Sequence, residues 1–394
     1  MISQKVHGDL QNSSWIRAMF EEGERLRKIH GADQVFDFSL GNPDYEPPLA
    51  VREELKRLVF DETPGLHRYT SNAGYDQVRS QIAIQLHQDT GLPFGSEHII
   101  MTCGAAGGLN VVLKTILNPG EEVILLAPYF VEYGFYTQNH GGCPVVVATG
   151  PDFMPDPEAL KNSITPLTKA IILNSPNNPS GVVYPPAVLQ AIAQVLESKE
   201  QELGTSIMLI SDEPYSKLVY DGVEVPNLMN FFKNCAVVNS FSKSLALPGE
   251  RIGYIALSPR IDDIPTLAAG MIFANRTLGF VNAPSLFQKL VGACLDQAPD
   301  TGEYQRRRDL LYNHLTGLGF SCVKPQGAFY LFPQSPIPDD VEFVRQALKY
   351  NLLLVPGTGF ACPGYFRMAY CVDMKTIRNS LPAFEALAAD YFNN

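Results

Sequence analysis

Residues 98–127 read HIIMTCGAAGGLNVVLKTILNPGEEVILLA and contain two apolar runs on either side of a longer segment. The runs at His98–Cys103 and Glu122–Ala127 predict β-strands. The segment that ends at Leu117 predicts a helix, and the Asn-Pro-Gly turn at 118–120 separates it from the second strand. A strand, a helix and a second strand in this order are typical of a crossover between parallel strands.

The same alternation continues through the middle of the chain, where helical patterns such as Pro186–Leu196 separate several more apolar runs. These runs are Pro144–Ala148, Lys169–Leu173, Ser206–Ser211, Cys235–Asn239 and Gly253–Leu257. Strands that alternate with helices favour an α/β fold, with a mostly parallel central sheet that has helices on both faces.

The C-terminal part of the chain has a different pattern, which predicts a smaller α+β domain. Its predicted elements are a helix at Glu303–Leu318, strands near Cys322 and at Ala328–Phe332, a helix at Val341–Tyr350, strands at Leu352–Val355 and Phe366–Tyr370, and a final helix from Met374. The prolines in Asn42-Pro43 and Glu46-Pro47-Pro48 interrupt regular secondary structure, and they mark the point where an N-terminal arm enters the large domain. We therefore expect an arm at 1–45 that joins the small domain, a large domain at 46–290 and a small domain at 291–394.

Composition and charge disfavour several classes of protein. The 394 residues carry 30 basic and 41 acidic side chains, and this net charge of −11 argues against a nucleic-acid or anionic-membrane partner. The seven cysteines are scattered and form no C-x-x-C pair, so neither a disulfide framework nor a metal site is predicted. The N-terminal segment lacks the order of a signal peptide, and no apolar run reaches the roughly 18 residues of a membrane span. We therefore expect a cytoplasmic protein.

A lysine follows the predicted strand Cys235–Asn239, in the motif Ser240-Phe241-Ser242-Lys243. A lysine at a strand end, among small and hydroxylated residues, is in position to attack a carbonyl as a neutral amine. The alternative is a solvated loop lysine. Arg251 lies further along the chain, and an arginine and a serine beside an amine suit a phosphate group.

Other polar residues follow neighbouring strands. Asp212 ends an apolar run and precedes Tyr215, so its carboxylate either faces the ligand crevice of an α/β sheet or caps a helix. The segment at 174–181 either contributes to the same crevice or forms a plain Asn-Pro turn. The glycine-rich segment at 104–108 lies between a strand and a helix, where backbone N–H groups hold phosphates.

In this order, the strand-end asparagine, Asp-x-x-Tyr, Ser-x-x-Lys and arginine resemble the fold-type I pyridoxal-phosphate (PLP) enzymes, specifically the class I/II, aspartate aminotransferase-like aminotransferases. The resemblance extends from Leu40-Gly41-Asn42-Pro43-Asp44 to Arg367. It implies a PLP-dependent enzyme that moves an amino group between an L-amino acid and a 2-oxo acid by a ping-pong mechanism. The implied specificity is aspartate-like or broad.

The resemblance also implies roles for the strand-end residues. Lys243 would hold PLP as a Schiff base and then move the α-proton of the substrate. Asp212 would keep the pyridine nitrogen protonated, so that the ring accepts electrons. Asn178 and Tyr215 would hydrogen-bond the phenolic oxygen, and Tyr215 would thereby assist catalysis.

The contacts of the PLP ring and phosphate follow from the same resemblance. Phe130 would stack on the pyridine face, with Tyr129 as the alternative one residue earlier. Family members usually have a serine or threonine in the first phosphate loop, where this chain has Ala105-Ala106, so one hydroxyl donor is missing. The remaining phosphate contacts would be Arg251, Ser240, Tyr69 and the backbone at Gly104, Ala105 and Ala106.

Substrate and subunit contacts are implied as well. Arg367 would bind the substrate α-carboxylate, to which Gly41 would offer a backbone N–H, with Asn178 as a further substrate contact. Tyr69 would reach the phosphate bound to the neighbouring subunit, which implies a homodimer with shared active sites.

The sequence does not determine which amino-acid side chain the substrate carries. An acidic substrate needs a second cation opposite Arg367, for which Arg276 is a candidate and Lys114 a second one. A surface arginine is the alternative for Arg276, and Trp15 and Tyr133 would equally shape an aromatic pocket.

Three other classes of function share some of these sequence features. The Ser-x-x-Lys spelling also matches serine acyl-enzymes, but their Lys-Thr-Gly motif is missing from the sequence. A regulator with a winged-helix DNA-binding domain would need more residues before Gly41 than this sequence has. Within PLP chemistry, C–S β-lyases, decarboxylases, cyclopropane-forming synthases and racemases remain alternatives, because small differences in the pocket decide which bond breaks.

Overall fold

The structure is a computed structural model that describes residues 1–11, 15–62 and 64–392, and a large sheet forms its centre. The strands are β1 Phe36–Asp37, β2 Ile99–Thr102, β3 Glu122–Ala127, β4 Cys143–Ala148, β5 Thr168–Asn174, β6 Met208–Asp212, β7 Cys235–Ser240, β8 Gly253–Leu257, β9 Tyr330–Leu331, β10 Leu352–Leu353, β11 Val355–Pro356 and β12 Phe366–Ala369. The central sheet has seven of these strands, in the order β2-β8-β7-β6-β5-β3-β4. The strand β8 is antiparallel to both of its neighbours, and the other six are parallel to one another. The predicted α/β fold with a mostly parallel sheet is confirmed.

Helices cover both faces of this sheet. The helices are α1 Gln4–Gln11, α2 Trp15–His30, α3 Leu49–Val59, α4 Asp76–Thr90, α5 Gly104–Ile116, α6 Glu132–Asn139, α7 Pro157–Ser163, α8 Pro186–Leu203, α9 Phe241–Ser244, α10 Ile264–Thr277, α11 Ser285–Gly292, α12 Thr301–Gly317, α13 Asp340–Ala347 and α14 Met374–Phe392. Side chains alternate along each strand, so Ile99 and Met101 belong to the hydrophobic cluster that includes residues of α3, α4, α8 and α11, whereas Ile100 belongs to the cluster that includes residues of α5 and α10. Both faces of the sheet are therefore buried, as the continuous apolar runs predicted.

A second core lies in the C-terminal part of the chain. The strand β12 pairs antiparallel with β9 and β11, and β1 pairs parallel with β10 through Phe36 and Leu352. Phe38, Phe343 and Phe366 are fully buried in this core. The pairing of β1 with β10 attaches the N-terminal arm to this smaller α+β unit.

Several predicted elements differ from the observed ones; the strand predicted at Ala328–Phe332, for example, is reduced to β9 Tyr330–Leu331. No strand forms near Cys322 within the described residues, because that segment makes only an isolated backbone hydrogen bond, from Gln334 to Ser321. The predicted strand at Leu352–Val355 is divided, since its first half pairs with β1 and its second half with β12. The helix predicted to end at Leu196 continues to Leu203, where Gly204 adopts a left-handed conformation and ends it.

The helices within the described ranges are too short or too polar to span a membrane.

Candidate active site

A cleft of about 300 Å³ opens where the parallel strands β2, β3, β5, β6 and β7 end. Because β8 runs in the opposite direction, its first residue, Gly253, lies at this same edge and brings Arg251 into the cleft. Tyr330 and Arg367 of the smaller α+β unit form the remaining wall. The predicted site residues that line the cleft are Gly41, Ala105, Ala106, Phe130, Asn178, Asp212, Tyr215, Ser240, Lys243, Arg251 and Arg367.

Lys243 lies on the short helix α9, which directly follows β7. Its Nζ donates a hydrogen bond of 2.7 Å to the carbonyl oxygen of Gly41. Burial lowers the pKa of Lys243 to about 8, and the positive charges of Arg251 and Arg367 act in the same direction. The amine is therefore mostly enclosed and partly neutral near pH 8, which a solvated loop lysine is not.

Asp212 is the last residue of β6, and its two carboxylate oxygens have different surroundings. The hydroxyl of Tyr133 donates a 2.5 Å hydrogen bond to Oδ2, whereas Oδ1 is buried and has no partner among the described residues. Burial raises the pKa of Asp212 to about 6, although the Tyr133 hydrogen bond opposes this. No helix of the described chain begins at Asp212, so the carboxylate is not a helix N-cap.

The asparagine segment after β5 is fixed to the neighbouring strand β6. The side chain of Asn174 donates to the carbonyl oxygen of Asp212 over 2.8 Å and accepts from the backbone N–H of Asn178 over 2.7 Å. The side-chain oxygen of Asn178 in turn accepts a hydrogen bond of 3.1 Å from Arg367. The segment is therefore more than a plain turn, since it joins β6 to the arginine of the smaller unit.

Arg367 is a buried guanidinium on β12, with only 1% of its surface exposed. Besides Asn178, it donates to the carbonyl oxygen of Ser39 over 2.6 Å, and its Nε has no partner among the described residues. The rings of Tyr330 and Phe360 lie 4.6 Å and 4.8 Å from its guanidinium carbon. Burial lowers its pKa, and no described carboxylate pairs with it. A buried arginine without an acidic partner fits an anionic ligand.

Tyr215 contacts a residue that the sequence analysis did not identify. Its hydroxyl lies 3.0 Å from that of Tyr330, and burial raises the pKa of Tyr215 well above its ordinary value. Tyr330 also leaves no room for a side chain at position 41, because a Cβ added to Gly41 would lie 1.9 Å from the Tyr330 hydroxyl. Only glycine fits this position, which explains Gly41 without reference to ligand binding.

The other end of the cleft is suited to an anion. Arg251 faces the N-terminus of α5, whose second and third residues, Ala105 and Ala106, line the cleft. A helix N-terminus and a guanidinium both attract negative charge. Gly104 is not among the residues that line the cleft, and a Cβ there would lie 2.7 Å from the Nη2 atom of Arg251. Gly104 therefore makes room for the arginine.

Of the two aromatic residues considered for stacking on the ring, one lines the cleft, and several other predicted residues lie outside it. Phe130 lines the cleft and Tyr129 does not, so the structure favours the first of these two alternatives. Tyr69 is 88% exposed and lies outside the cleft of its own chain. The other candidates that lie outside this cleft are Arg276, Lys114 and Trp15.

Sequence reasoning missed the tyrosines that support the predicted residues. Tyr133 was considered only for the shape of the pocket, yet it binds Asp212. Tyr136 and Tyr330 line the cleft, and no motif in the sequence identified them. Their contacts depend on packing between distant segments, and the spacing of residues along the chain carries no signal for such contacts.

Comparison with known proteins agrees with this geometry. The family model described as aminotransferase class I and II matches residues 33–384. An aspartate/prephenate aminotransferase of Thermus thermophilus is 36% identical over 90% of this chain and 91% of its own. A solved amino transferase from Eubacterium rectale has 40% identity and a TM-score of 0.96, with 100% of both chains covered. The Thermus thermophilus aspartate aminotransferase solved with maleate has 31% identity and a TM-score of 0.85, covering 98% of this chain and 99% of its own. The chain therefore belongs to the class I and II aminotransferase family, and it is an aminotransferase.

Proposed function

We propose that the cleft binds PLP and transfers amino groups between aspartate-like amino acids and 2-oxo acids. The observation that carries this proposal is the buried and unpartnered Oδ1 of Asp212, which suits the protonated nitrogen of a pyridine ring. The enclosed amine of Lys243 lies in the same cleft, as does the anion-binding end formed by Arg251 and α5. The residues present therefore fit PLP, whose parts are a pyridine, an aldehyde and a phosphate.

The cleft residues would hold the cofactor as follows. Phe130 would stack on the ring, and Asn178 and Tyr215 would bind its phenolic oxygen. Arg251, with Ser240, would hold the phosphate together with the N–H groups at the start of α5. When bound, PLP supplies an electron sink for the charge left when the α-proton departs.

The chain itself would move the proton and orient the substrate. Because the pKa of Lys243 is lowered to about 8, its amine both accepts and returns a proton near neutral pH. The free Nε edge of Arg367 would bind the α-carboxylate, with Gly41 and Asn178 beside it. Such binding fixes the α-C–H bond relative to the cofactor ring.

The substrate class rests on the relatives reported above. One of them is named for aspartate and prephenate, and another was solved with maleate, a dicarboxylate. All of them are named as aminotransferases, so C–S β-elimination is not favoured. A second cation for an acidic side chain would come from Arg276 of a partner subunit, since Arg276 lies outside the cleft of its own chain.

We also propose a homodimer in which Tyr69 reaches the phosphate bound to the partner. The exposure of Tyr69 supports this, as does the hydrogen bond from Asn275 to Asn72, which holds the Tyr69 segment beside Arg276. The boundaries near 45 and 290 remain our proposal, supported by the pairing of β1 with β10 and by the separate core around α12. The cytoplasmic location remains a prediction.

A panel of amino acids tests the proposed specificity. The protein loaded with PLP is mixed with aspartate, glutamate, phenylalanine or alanine, and the visible absorbance of the bound cofactor is followed. We expect aspartate or glutamate to give the fastest change, and Lys243→Ala to form no 2-oxo acid from any of them. Equal rates for all four amino acids would show broad specificity, and no change with any would contradict the proposed function.

A further inference from the structure

The segment from Gly41 to Tyr45 holds Lys243 at both its side chain and its main chain. The Lys243 Nζ donates to the carbonyl oxygen of Gly41 over 2.7 Å. The hydroxyl of Tyr45 donates to the main-chain carbonyl oxygen of Lys243 over 2.5 Å. Neither Asp44 nor Tyr45 lines the cleft, so the contacts proposed for PLP and substrate do not account for them.

The carbonyl of Lys243 has a structural need for this donor. The helix α9 comprises only Phe241–Ser244, and carbonyl groups in a final helical turn lack partners within the helix. Two of the backbone N–H groups that follow, those of Leu245 and Leu247, both donate to the carbonyl oxygen of Phe241 instead. Within the described part of the chain, the Tyr45 hydroxyl is therefore the donor that this carbonyl has.

The same segment is attached to the helix α12 of the smaller unit. The Asp44 carboxylate accepts a hydrogen bond of 2.7 Å from Arg307 and one of 3.1 Å from the hydroxyl of Tyr304. The side chains of Arg307 and Asp44 are 11% and 24% exposed, so this ion pair is partly shielded from water. The rings of Tyr45 and Tyr304 pack with centroids 5.4 Å apart.

We propose that Asp44 and Tyr45 are positioning residues that tie the placement of Lys243 to the position of α12. The contacts run from Arg307 through Asp44 and Tyr45 to the Lys243 carbonyl. A movement of the smaller unit therefore changes the placement of the amine relative to the cleft. The inference rests on the proposed function of Lys243, and it adds residues outside the cleft that act through the lysine.

A double-mutant cycle tests this coupling. Tyr45→Phe removes only the hydroxyl that binds Lys243, and Arg307→Gln removes the charge that holds Asp44. The matched control is Arg306→Gln. Arg306 lies on the same helix and pairs with Glu303, as Arg307 does, but it has no contact with Asp44 in the part of the chain that the structure describes. Each substitution is made in the full chain, alone and in the Tyr45→Phe background.

Two measurements are made on each variant. The first is kcat and KM of the PLP-loaded enzyme. The second is the rate at which formaldehyde and cyanoborohydride methylate Lys243 in the cofactor-free protein, followed by peptide mass spectrometry. This second measurement does not require that the enzyme turns over. Lys243→Ala tests the proposed function separately, since normal turnover in that variant would contradict the function and not the coupling.

We expect Tyr45→Phe and Arg307→Gln each to lower kcat by about 2- to 10-fold with little change in KM, the factor that one hydrogen bond typically carries. Each should also raise the methylation rate of Lys243 by a similar factor. In the Tyr45→Phe background, Arg307→Gln should have almost no further effect on either quantity. Arg306→Gln should have no effect in either background.

Additive effects of the two substitutions would overturn the coupling, as would an unchanged kcat and methylation rate in Arg307→Gln. A lower melting temperature with normal kcat would assign Tyr45 a structural role only, and would also overturn it. If Arg307→Gln does not fold, Tyr304→Phe replaces it in the cycle, because this change removes the other hydrogen bond to Asp44.

Discussion

At the scale of single residues, the cleft contains polar groups that the chain itself leaves unsatisfied. Oδ1 of Asp212 and Nε of Arg367 are buried without partners among the described residues. A buried polar group without a hydrogen bond typically costs about 1–3 kcal/mol. Both residues line one cleft, so a ligand with a protonated ring nitrogen and a carboxylate would offset both costs.

Asp212→Ala tests the first of these groups. PLP should remain bound, but removal of the α-proton should slow by about 100- to 10,000-fold, because an unprotonated pyridine is a poor electron sink. The measurement is the single-turnover rate after mixing with amino acid. Glu213→Gln is the matched control, since this neighbouring buried carboxyl lies outside the cleft. A loss below about tenfold in Asp212→Ala would indicate that Asp212 is structural.

Arg367→Lys tests the second group. A lysine keeps the charge but cannot form two parallel hydrogen bonds to a carboxylate. The fall in kcat/KM should therefore correspond to a loss of about 2–5 kcal/mol in transition-state stabilisation. The loss should be similar for amino acids with different side chains, because all of them carry the α-carboxylate. PLP content should remain normal. The measurement is kcat/KM for three amino acids.

An amine without a carboxylate is the control for this substitution. Arg367→Lys should leave its slow reaction almost unchanged, since the arginine then has nothing to bind. Should the amino acids lose no more activity than this amine, Arg367 is not the carboxylate-binding residue.

At the scale of elements, local pattern predicted the sheet well and the supporting contacts poorly. The strands at Glu122–Ala127 and Gly253–Leu257 have their predicted bounds, because a doubly buried strand is a continuous apolar run. The antiparallel direction of β8 was not predicted, since an apolar run carries no information about direction. Tyr330 was missed for a related reason, because its contacts with Tyr215 and Arg367 join residues far apart in the chain.

The short helix α9 gives a prediction on stability and pH. In the folded chain the pKa of Lys243 is about 8, against 10.5 for an ordinary lysine. Between these values the unfolded chain binds more protons, so the free energy of unfolding contributed by Lys243 rises with pH. Below about pH 8 the amine is protonated in both states, and the folded chain bears the full free-energy cost of burying this charge. Above about pH 10.5 the amine is neutral in both states, and this cost is absent. Lys243→Met should therefore stabilise the cofactor-free protein at pH 7 by about 1–3 kcal/mol.

Urea unfolding at pH 7 and near pH 10 measures this effect. The advantage of Lys243→Met should shrink toward the higher pH. Lys161→Met is the control, because Lys161 is exposed on α7 and its replacement should change stability little at either pH. An advantage of Lys243→Met that does not depend on pH would show that better packing, and not charge burial, is its cause.

At the scale of the whole molecule, the proposed homodimer would place Tyr69 of one chain in the active site of the other. Subunits with Tyr69→Phe are mixed with subunits that carry Lys243→Ala, and exchange is verified by mass. Each hybrid dimer then has one site without either substitution, so activity should rise above that of both parents. If exchange is complete and activity does not rise, the sites are not shared and Tyr69 acts within its own chain or not at all.

The proposed reaction transfers the amino group of the substrate to the enzyme and does not release it as ammonia. PLP-loaded enzyme is mixed with an amino acid in the absence of any 2-oxo acid acceptor, and the 2-oxo acid and ammonia formed are counted per Lys243. We predict one 2-oxo acid per lysine, no ammonia, and renewed reaction only when a second 2-oxo acid is added, with Lys243→Ala inactive throughout. Ammonia formed in step with 2-oxo acid, over many turnovers and without an acceptor, would contradict the account.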